Sequence, residues 1–70
     1  MKANSASTLG EAIKKRRKEL WLKQKDVADA TGFSVSFISD LENGKPTAEL
    51  GKSLHIINML GMDINVDARE

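Results

Sequence analysis

Apolar residues recur along most of this chain at helical spacing, and the breaks between the periodic runs fall at residues suited to caps and tight turns. From Thr8 to Leu20, the residues Leu9, Ile13 and Leu20 punctuate a run rich in Glu, Ala, Lys and Arg. That pattern predicts an amphipathic helix with Thr8 as its N-cap and Glu11 completing a capping box. Gln24 to Thr31 sets Val27, Ala28 and Ala30 on the inside of a helix of about two turns, and Gly32 is placed to end it in a left-handed conformation. Ser34 is the next N-cap, and Val35 to Asn43 carries Ile38 and Leu41 before Gly44. After the turn Asn43-Gly44-Lys45-Pro46, Thr47 caps a fourth helix that runs to Leu60 and ends at Gly61.

The fourth segment is more apolar than one buried face requires. Leu50, Leu54 and Ile57 form an inward stripe, and Ile56, Met59 and Leu60 lie on a second arc that a second surface must cover. At Met62 the period changes to two: Met62, Ile64 and Val66 alternate with Asp63, Asn65 and Asp67, as in a short strand. The chain offers no other strand to pair with it, so the expected partner is the same strand of a second copy, with a frayed polar tail as the alternative. The predicted organisation is a polar arm over residues 1–7, a helical domain over 8–61, and a dimerisation strand and tail over 62–70.

Seventy residues allow one domain, which buries only about 60% of the surface its unfolded chain exposes. With no cysteine, neither disulfides nor a thiolate metal site can add stability, which leaves oligomerisation. His55 is the sole histidine and stands without a ligand cluster, so no metal or other cofactor is expected. Met59 and Met62 read as filler in a dimer contact. No apolar run approaches the roughly 18 residues of a membrane span, and Met1 to Ser7 lacks the apolar core of a signal peptide, so a cytoplasmic location is expected. The net charge of +1 conceals an uneven distribution: Asp63, Asp67 and Glu70 make the tail acidic, while Lys14, Lys15, Arg16, Arg17, Lys18, Lys23 and Lys25 cluster in the body. Such a cluster is either a solvated helix face or a polyanion-binding one. Without a cysteine, a second histidine or a phosphate-binding glycine loop, and with too little chain to enclose a pocket of several hundred Å³, an enzyme is not expected.

Two short helices joined by the tight turn Thr31-Gly32-Phe33-Ser34 have the geometry that lays the second helix in a DNA major groove. The run from Gln24 to Ser34, followed by Phe37-Ile38-Ser39-Asp40-Leu41-Glu42-Asn43-Gly44, resembles the helix-turn-helix family of phage Cro and repressor proteins, the XRE family, over about residues 8–61. Gln24, Ala28, Gly32, Ile38, Glu42 and Gly44 each stand where the family pattern puts that residue type. The resemblance implies a mainly α fold class: a lambda-repressor-like helix-turn-helix bundle of four to five short helices, completed by the C-terminal β-strand pairing across a dimer. It implies a transcriptional regulator, a repressor, that binds a palindromic operator in double-stranded DNA as a homodimer. Lys23, Gln24, Ser34, Asn43 and Lys45 would then contact phosphates, helix N-termini favouring anions in any case. Arg17 and Glu42 would form a partly buried ion pair tying the first helix to the third.

Base reading falls to Val35, Ser36, Ser39 and Asp40, with Phe37 at the rim. The set departs from the common family pattern, because it lacks the Arg, Gln or Asn that read guanine and adenine with two hydrogen bonds. DNA shape then contributes much of the discrimination. Asp40 has two readings, acceptor from cytosine or partner of a nearby lysine. Trp21 replaces the Gly or small polar residue that relatives put between the first two helices, which argues against an obligatory positive φ there and suggests a partly covered turn residue, although its place beside Lys23 leaves it near the expected DNA face. The dimer interface is expected at Ile56, Met59, Leu60, Met62, Ile64 and Val66. The ending Leu60-Gly61-Met62-Asp63-Ile64 is also similar to that of HipB-type antitoxins, which implies a kinase-like toxin as a further partner. The rival readings are a module that chiefly docks such a protein and a phage-type regulator.

Overall fold

Three cap-and-break signals divide the chain into helices, as the computed structural model shows for residues 4–69. The beginning of the expected arm, Met1 to Ala3, lies outside the described residues, as does Glu70. Four helices occur among the described residues: α1 (Ala6–Glu19), α2 (Gln24–Thr31), α3 (Val35–Glu42) and α4 (Leu50–Met59). Ile13 of α1, Val27 and Ala28 of α2, Ile38 and Leu41 of α3, and Ile56 and Ile57 of α4 with Leu60 just after it form one buried core, whereas Ala30, expected on the inside of α2, is exposed.

The N-terminus differs from the reading above. Thr8 is not the cap. Ser5 is, with its Oγ accepting from the Thr8 N–H at 3.1 Å while Thr8 Oγ1 accepts from the Ser5 N–H at 3.1 Å. The capping box is therefore Ser5–Thr8 and not Thr8–Glu11, and Ala6 and Ser7 belong to the helix and not to an arm. The earlier start lets the first turn of α1 rest on the loop after α3. A Cβ on Gly44 would fall 2.9 Å from the Ser7 Cα, so the loop approaches because Gly44 has no side chain. Gly10 serves the same purpose one turn later. A Cβ there would lie 2.7 Å from the Glu42 carbonyl oxygen and closer still to that of Leu41, so α1 sits directly on the C-terminal end of α3.

The fourth helix begins at Leu50 and not after a Thr47 cap, because Lys45 to Ala48 closes a turn of its own, with the Ala48 N–H donating to the Lys45 carbonyl at 3.2 Å. Its inward face also differs. Ile56 and Leu60, expected at a dimer interface, are buried in the core, whereas Leu50 and Leu54, expected inside, are exposed. Ser53 explains the inversion. It is buried, yet its hydroxyl donates to the Glu49 carbonyl at 2.7 Å, so burying it leaves no polar atom unpaired. Ser53, Ile56, Ile57 and Leu60 then form the inner face, and the outer apolar surface is Leu50, Leu54 and Met59. Beyond Gly61 the chain forms neither helix nor strand among the described residues; Met62 packs against the core, while Ile64 and Val66 are exposed.

The close approach at Gly10 predicts that Gly10→Ala lowers stability by at least about 2 kcal/mol through overpacking against backbone. Gly51→Ala, where nothing lies within 4 Å of a new Cβ, should instead raise it by about 0.5–1 kcal/mol. Urea titrations of the two variants check this; equal effects would contradict the packing described.

Candidate nucleic-acid interface

The centre of the site is a carboxylate inside the protein. Glu42, at the last turn of α3, is buried and accepts from Arg17 Nε at 2.7 Å and Arg17 Nη2 at 3.0 Å, a two-pronged pair that uses both oxygens. Gln24 Nε2, from the first residue of α2, donates to the same carboxylate at 3.1 Å. Arg17 Nη1 then donates to the Leu22 carbonyl at 2.8 Å, so the guanidinium also holds the turn between α1 and α2. Hydrogen bonding to Glu42 raises the Arg17 pKa above its ordinary value, against the opposing effect of burial, and the Glu42 charge raises it further. The guanidinium is therefore charged at every pH at which the protein folds, and no pH window opens around it. One carboxylate thus fixes α1, the start of α2 and the end of α3 relative to one another.

The turn from α2 into α3 sets the angle of the second helix. Gly32 ends α2 with φ of 79°, and Ser34 begins α3 by accepting from the Phe37 N–H at 3.0 Å. From that start, Val35 and Ser36 face solvent and Ser39 and Asp40 are half-exposed along the same side. Phe37, expected at the rim of this face, instead turns toward the protein: its ring meets that of Phe33 edge-on at 5.8 Å, and Lys52 Nζ lies 5.5 Å from the centres of both rings. Burial of an aromatic against a neighbouring ring outweighs its exposure on the groove side. Asp40 takes the second of its two readings, pairing with Lys45 Nζ at 3.3 Å, while Asn43 Nδ2 donates to Ser39 Oγ at 3.4 Å. The pairing neutralises the one acidic group on this face.

The expected phosphate contacts surround that face. Lys23 immediately precedes α2 with its ammonium exposed, and Asp26 accepts from the Lys23 N–H at 2.7 Å, closing the helix start. Gln24 donates one amide hydrogen to Glu42 and is half-buried. Asn43 and Lys45 lie on the loop at the far end of α3. The basic cluster of α1 divides. Lys14, Lys15 and Lys18 line an open, shallow depression with Glu11 and Glu19. Arg17 points inward, and Arg16 Nε donates to the Leu60 carbonyl at 2.9 Å, capping the end of α4. Charge clustering alone gave no sign of that role.

Trp21 departs furthest from expectation: its φ is 59° and it is 93% exposed, where the sequence suggested partial cover and no obligatory positive φ. The Trp21 N–H donates to the Lys18 carbonyl at 3.0 Å and the Leu22 N–H to that of Arg17 at 3.1 Å, a helix-ending turn that requires a left-handed residue at this place. The backbone bonds decide the conformation, not the size of the side chain.

A family model described as helix-turn-helix matches residues 13–65. The chain is 41% identical over 58 residues to an HTH-type transcriptional regulator, y4mF, of Sinorhizobium fredii, across 83% of this chain and 76% of that protein. It is 40% identical over 58 residues to the ImmF control region 10 kDa protein of Bacillus phage phi105, covering 83% of this chain and 64% of that one. The chain belongs to the XRE-type helix-turn-helix family, a family of DNA-binding transcriptional regulators. Its fold is also that of the protein chain in a HipB–O2 20mer complex, with a TM-score of 0.88 at 23% identity over 100% of this chain and 97% of that chain. A HipA-HipB-O2-O3 complex contains the same fold at a TM-score of 0.87 and 23% identity, covering 100% and 99%.

The Glu42 arrangement predicts that Glu42→Gln destabilises the protein by about 3–5 kcal/mol, because the Arg17 charge is left buried without its counter-charge. Replacing both partners by apolar residues, Arg17→Met with Glu42→Leu, should cost less than Glu42→Gln alone. Thermal melts of the three proteins check the order. If the double variant were the least stable, Arg17 and Glu42 would not be coupled as described.

Proposed function

We propose that this chain is a sequence-specific, non-enzymatic repressor of transcription in the cytoplasm that binds a palindromic operator as a homodimer. The observation that carries the proposal is the α2–α3 pair: Val35, Ser36 and Ser39 are presented outward from a helix whose back is fixed through Glu42. Valine packs against thymine methyl groups and the serines bond several base edges, so direct reading is modest and DNA shape adds to it. Lys23, Gln24, Ser34, Asn43 and Lys45 contact phosphates on both sides of the groove.

Two copies reading two half-sites need their α3 helices about 34 Å apart, one turn of the duplex. The exposed residues Leu50, Leu54 and Met59, with Ile64 and Val66 of the tail, supply the apolar surface for that contact. A second reading, the antitoxin of a toxin–antitoxin pair, draws on the full-length fold likeness to the chain in the HipA-HipB-O2-O3 complex. A kinase-like protein encoded by the adjacent reading frame and co-purifying with this chain favours it; integrase or replication genes there favour a phage-type regulator.

Fluorescence anisotropy with labelled duplexes tests the DNA reading. With about 6–10 phosphate contacts per dimer, affinity should fall by about 10³–10⁵ between 50 and 200 mM salt. Lys45→Ala should weaken operator and random duplex alike, whereas Ser36→Ala and Ser39→Ala should relax base preference by about 1–3 kcal/mol per lost contact. A flat salt response, or unchanged preference in both serine variants, overturns the proposed face.

Truncation tests the dimer. Removing residues 63–70 leaves Met62 on the core, and should convert a dimer to a monomer by light scattering while costing operator affinity far more than random-duplex affinity. A truncated chain that is still dimeric and binds the operator as tightly as the intact one contradicts the role given to the tail.

A further inference from the structure

A left-handed backbone costs an ordinary residue energy that glycine does not incur, and a solvated indole buries nothing in return. Trp21 carries both disadvantages: φ is 59° and the side chain is 93% exposed. The turn that imposes them is locked three times, by Trp21 N–H to Lys18 O, by Leu22 N–H to Arg17 O and by Arg17 Nη1 to Leu22 O. Relaxation is therefore blocked, and the strain is held by the same guanidinium that fixes the recognition helix. Strain of this kind, over-determined by its surroundings, marks contact sites. Glycine at this position would serve the fold of the single chain better, so the indole's use lies outside it.

The surroundings of Trp21 indicate what it meets. Lys18 precedes the turn and Lys23 follows it, both exposed. The acids nearest along the chain are engaged: Glu19 pairs with Arg16 at 3.7 Å and Asp26 accepts from the Lys23 N–H. Trp21 also lies three residues before Gln24, at the start of α2, where the DNA strand passes in the reading above. An indole is a hydrogen-bond donor with no acceptor, joined to a broad apolar face. That combination matches a phosphate oxygen and the deoxyribose beside it. We propose that Trp21 is a DNA-backbone contact, its ring lying against the sugar-phosphate strand beside the N-terminus of α2 and its Nε1–H donating to a phosphate. The inference rests on the DNA-binding reading and adds to it a sequence-independent contact.

Trp21 is the only tryptophan and the chain has no tyrosine, so its emission reports this position alone. The probe is a sheared random-sequence duplex in low salt, since a backbone contact needs no operator. Acrylamide quenching of the free protein should be that of an open indole, and saturation with duplex should cut it by about threefold or more as the ring is covered. Trp21→Gly should raise Tm by about 4–8 °C, because the left-handed strain is gone, while lowering duplex affinity about tenfold, the order expected of one hydrogen bond to a charged group. A stabilised variant with weaker binding cannot be ascribed to loss of fold.

If wild-type protein binds the duplex with a steep salt dependence but its indole stays as quenchable as before and Trp21→Gly binds equally well, the proposal is overturned and the DNA reading stands. If wild-type protein does not bind duplex even in low salt, the DNA reading fails and takes the proposal with it. An indole already protected in the protein without DNA also overturns the proposal, in favour of a contact between copies of this chain.

Discussion

A single buried carboxylate holds the working part of this protein in shape. Glu42 receives the Arg17 guanidinium and the Gln24 amide, and through Arg17 it is joined to the carbonyl of Leu22. Its charge has been removed from water, so its hydrogen bonds must be complete. Breaking any one leaves a neighbour unsatisfied in a low-dielectric setting. Three helices meet there, and none of them is long enough to be stable in water by itself. In a chain of 70 residues with no cysteine, this polar centre supplies relative orientation that a small apolar core alone does not specify.

The orientation serves the outer side of α3. A helix that reads DNA must present a few side chains within a fraction of an ångström of their targets, and it gains that accuracy from support behind it. Glu42 fixes its last turn, Phe37 and Ile38 anchor its inner side, and Ser34 caps its start. Gly10 allows α1 to lie against its end. What remains outward is small: Val35, Ser36 and Ser39, with Asp40 neutralised by Lys45. In the DNA-binding reading proposed above, a surface so modest in hydrogen-bonding capacity depends on the cationic and backbone groups around it for affinity, and the proposed Trp21 contact would stand among them.

Much of this was legible from the residues. The extents of α2 and α3 followed from Gly32 and Ser34, whose preferences for a helix end and a helix start are local and strong. The pairing of Arg17 with Glu42 came from resemblance, since their separation along the chain carries no local signal. Two other features were ambiguous for definable reasons. Ser5–Thr8 and Thr8–Glu11 have the same capping spacing, and only the loop at Gly44, distant in sequence, selects the first. The fourth helix has two apolar arcs, and the inward one contains Ser53, a polar residue whose hydroxyl is satisfied by its own helix. Patterning sorts polar from apolar but does not see that internal bond, so it turned the helix the wrong way and placed Ile56 and Leu60 outside. Trp21 shows the limit of residue preference: two backbone hydrogen bonds outweighed it.

The central claim is that the outward side of α3 and the two loops beside it meet the duplex while the Glu42 centre stays unchanged. Amide chemical shifts of the isotope-labelled protein, recorded during titration with a duplex, test this most directly. The account predicts that changes concentrate at Lys23, Gln24, at Ser34 to Asp40 and at Asn43 to Lys45, with Ile13, Ile56 and Ile57 little affected. Changes confined to α4 and the tail, with Val35, Ser36 and Ser39 undisturbed, would contradict it.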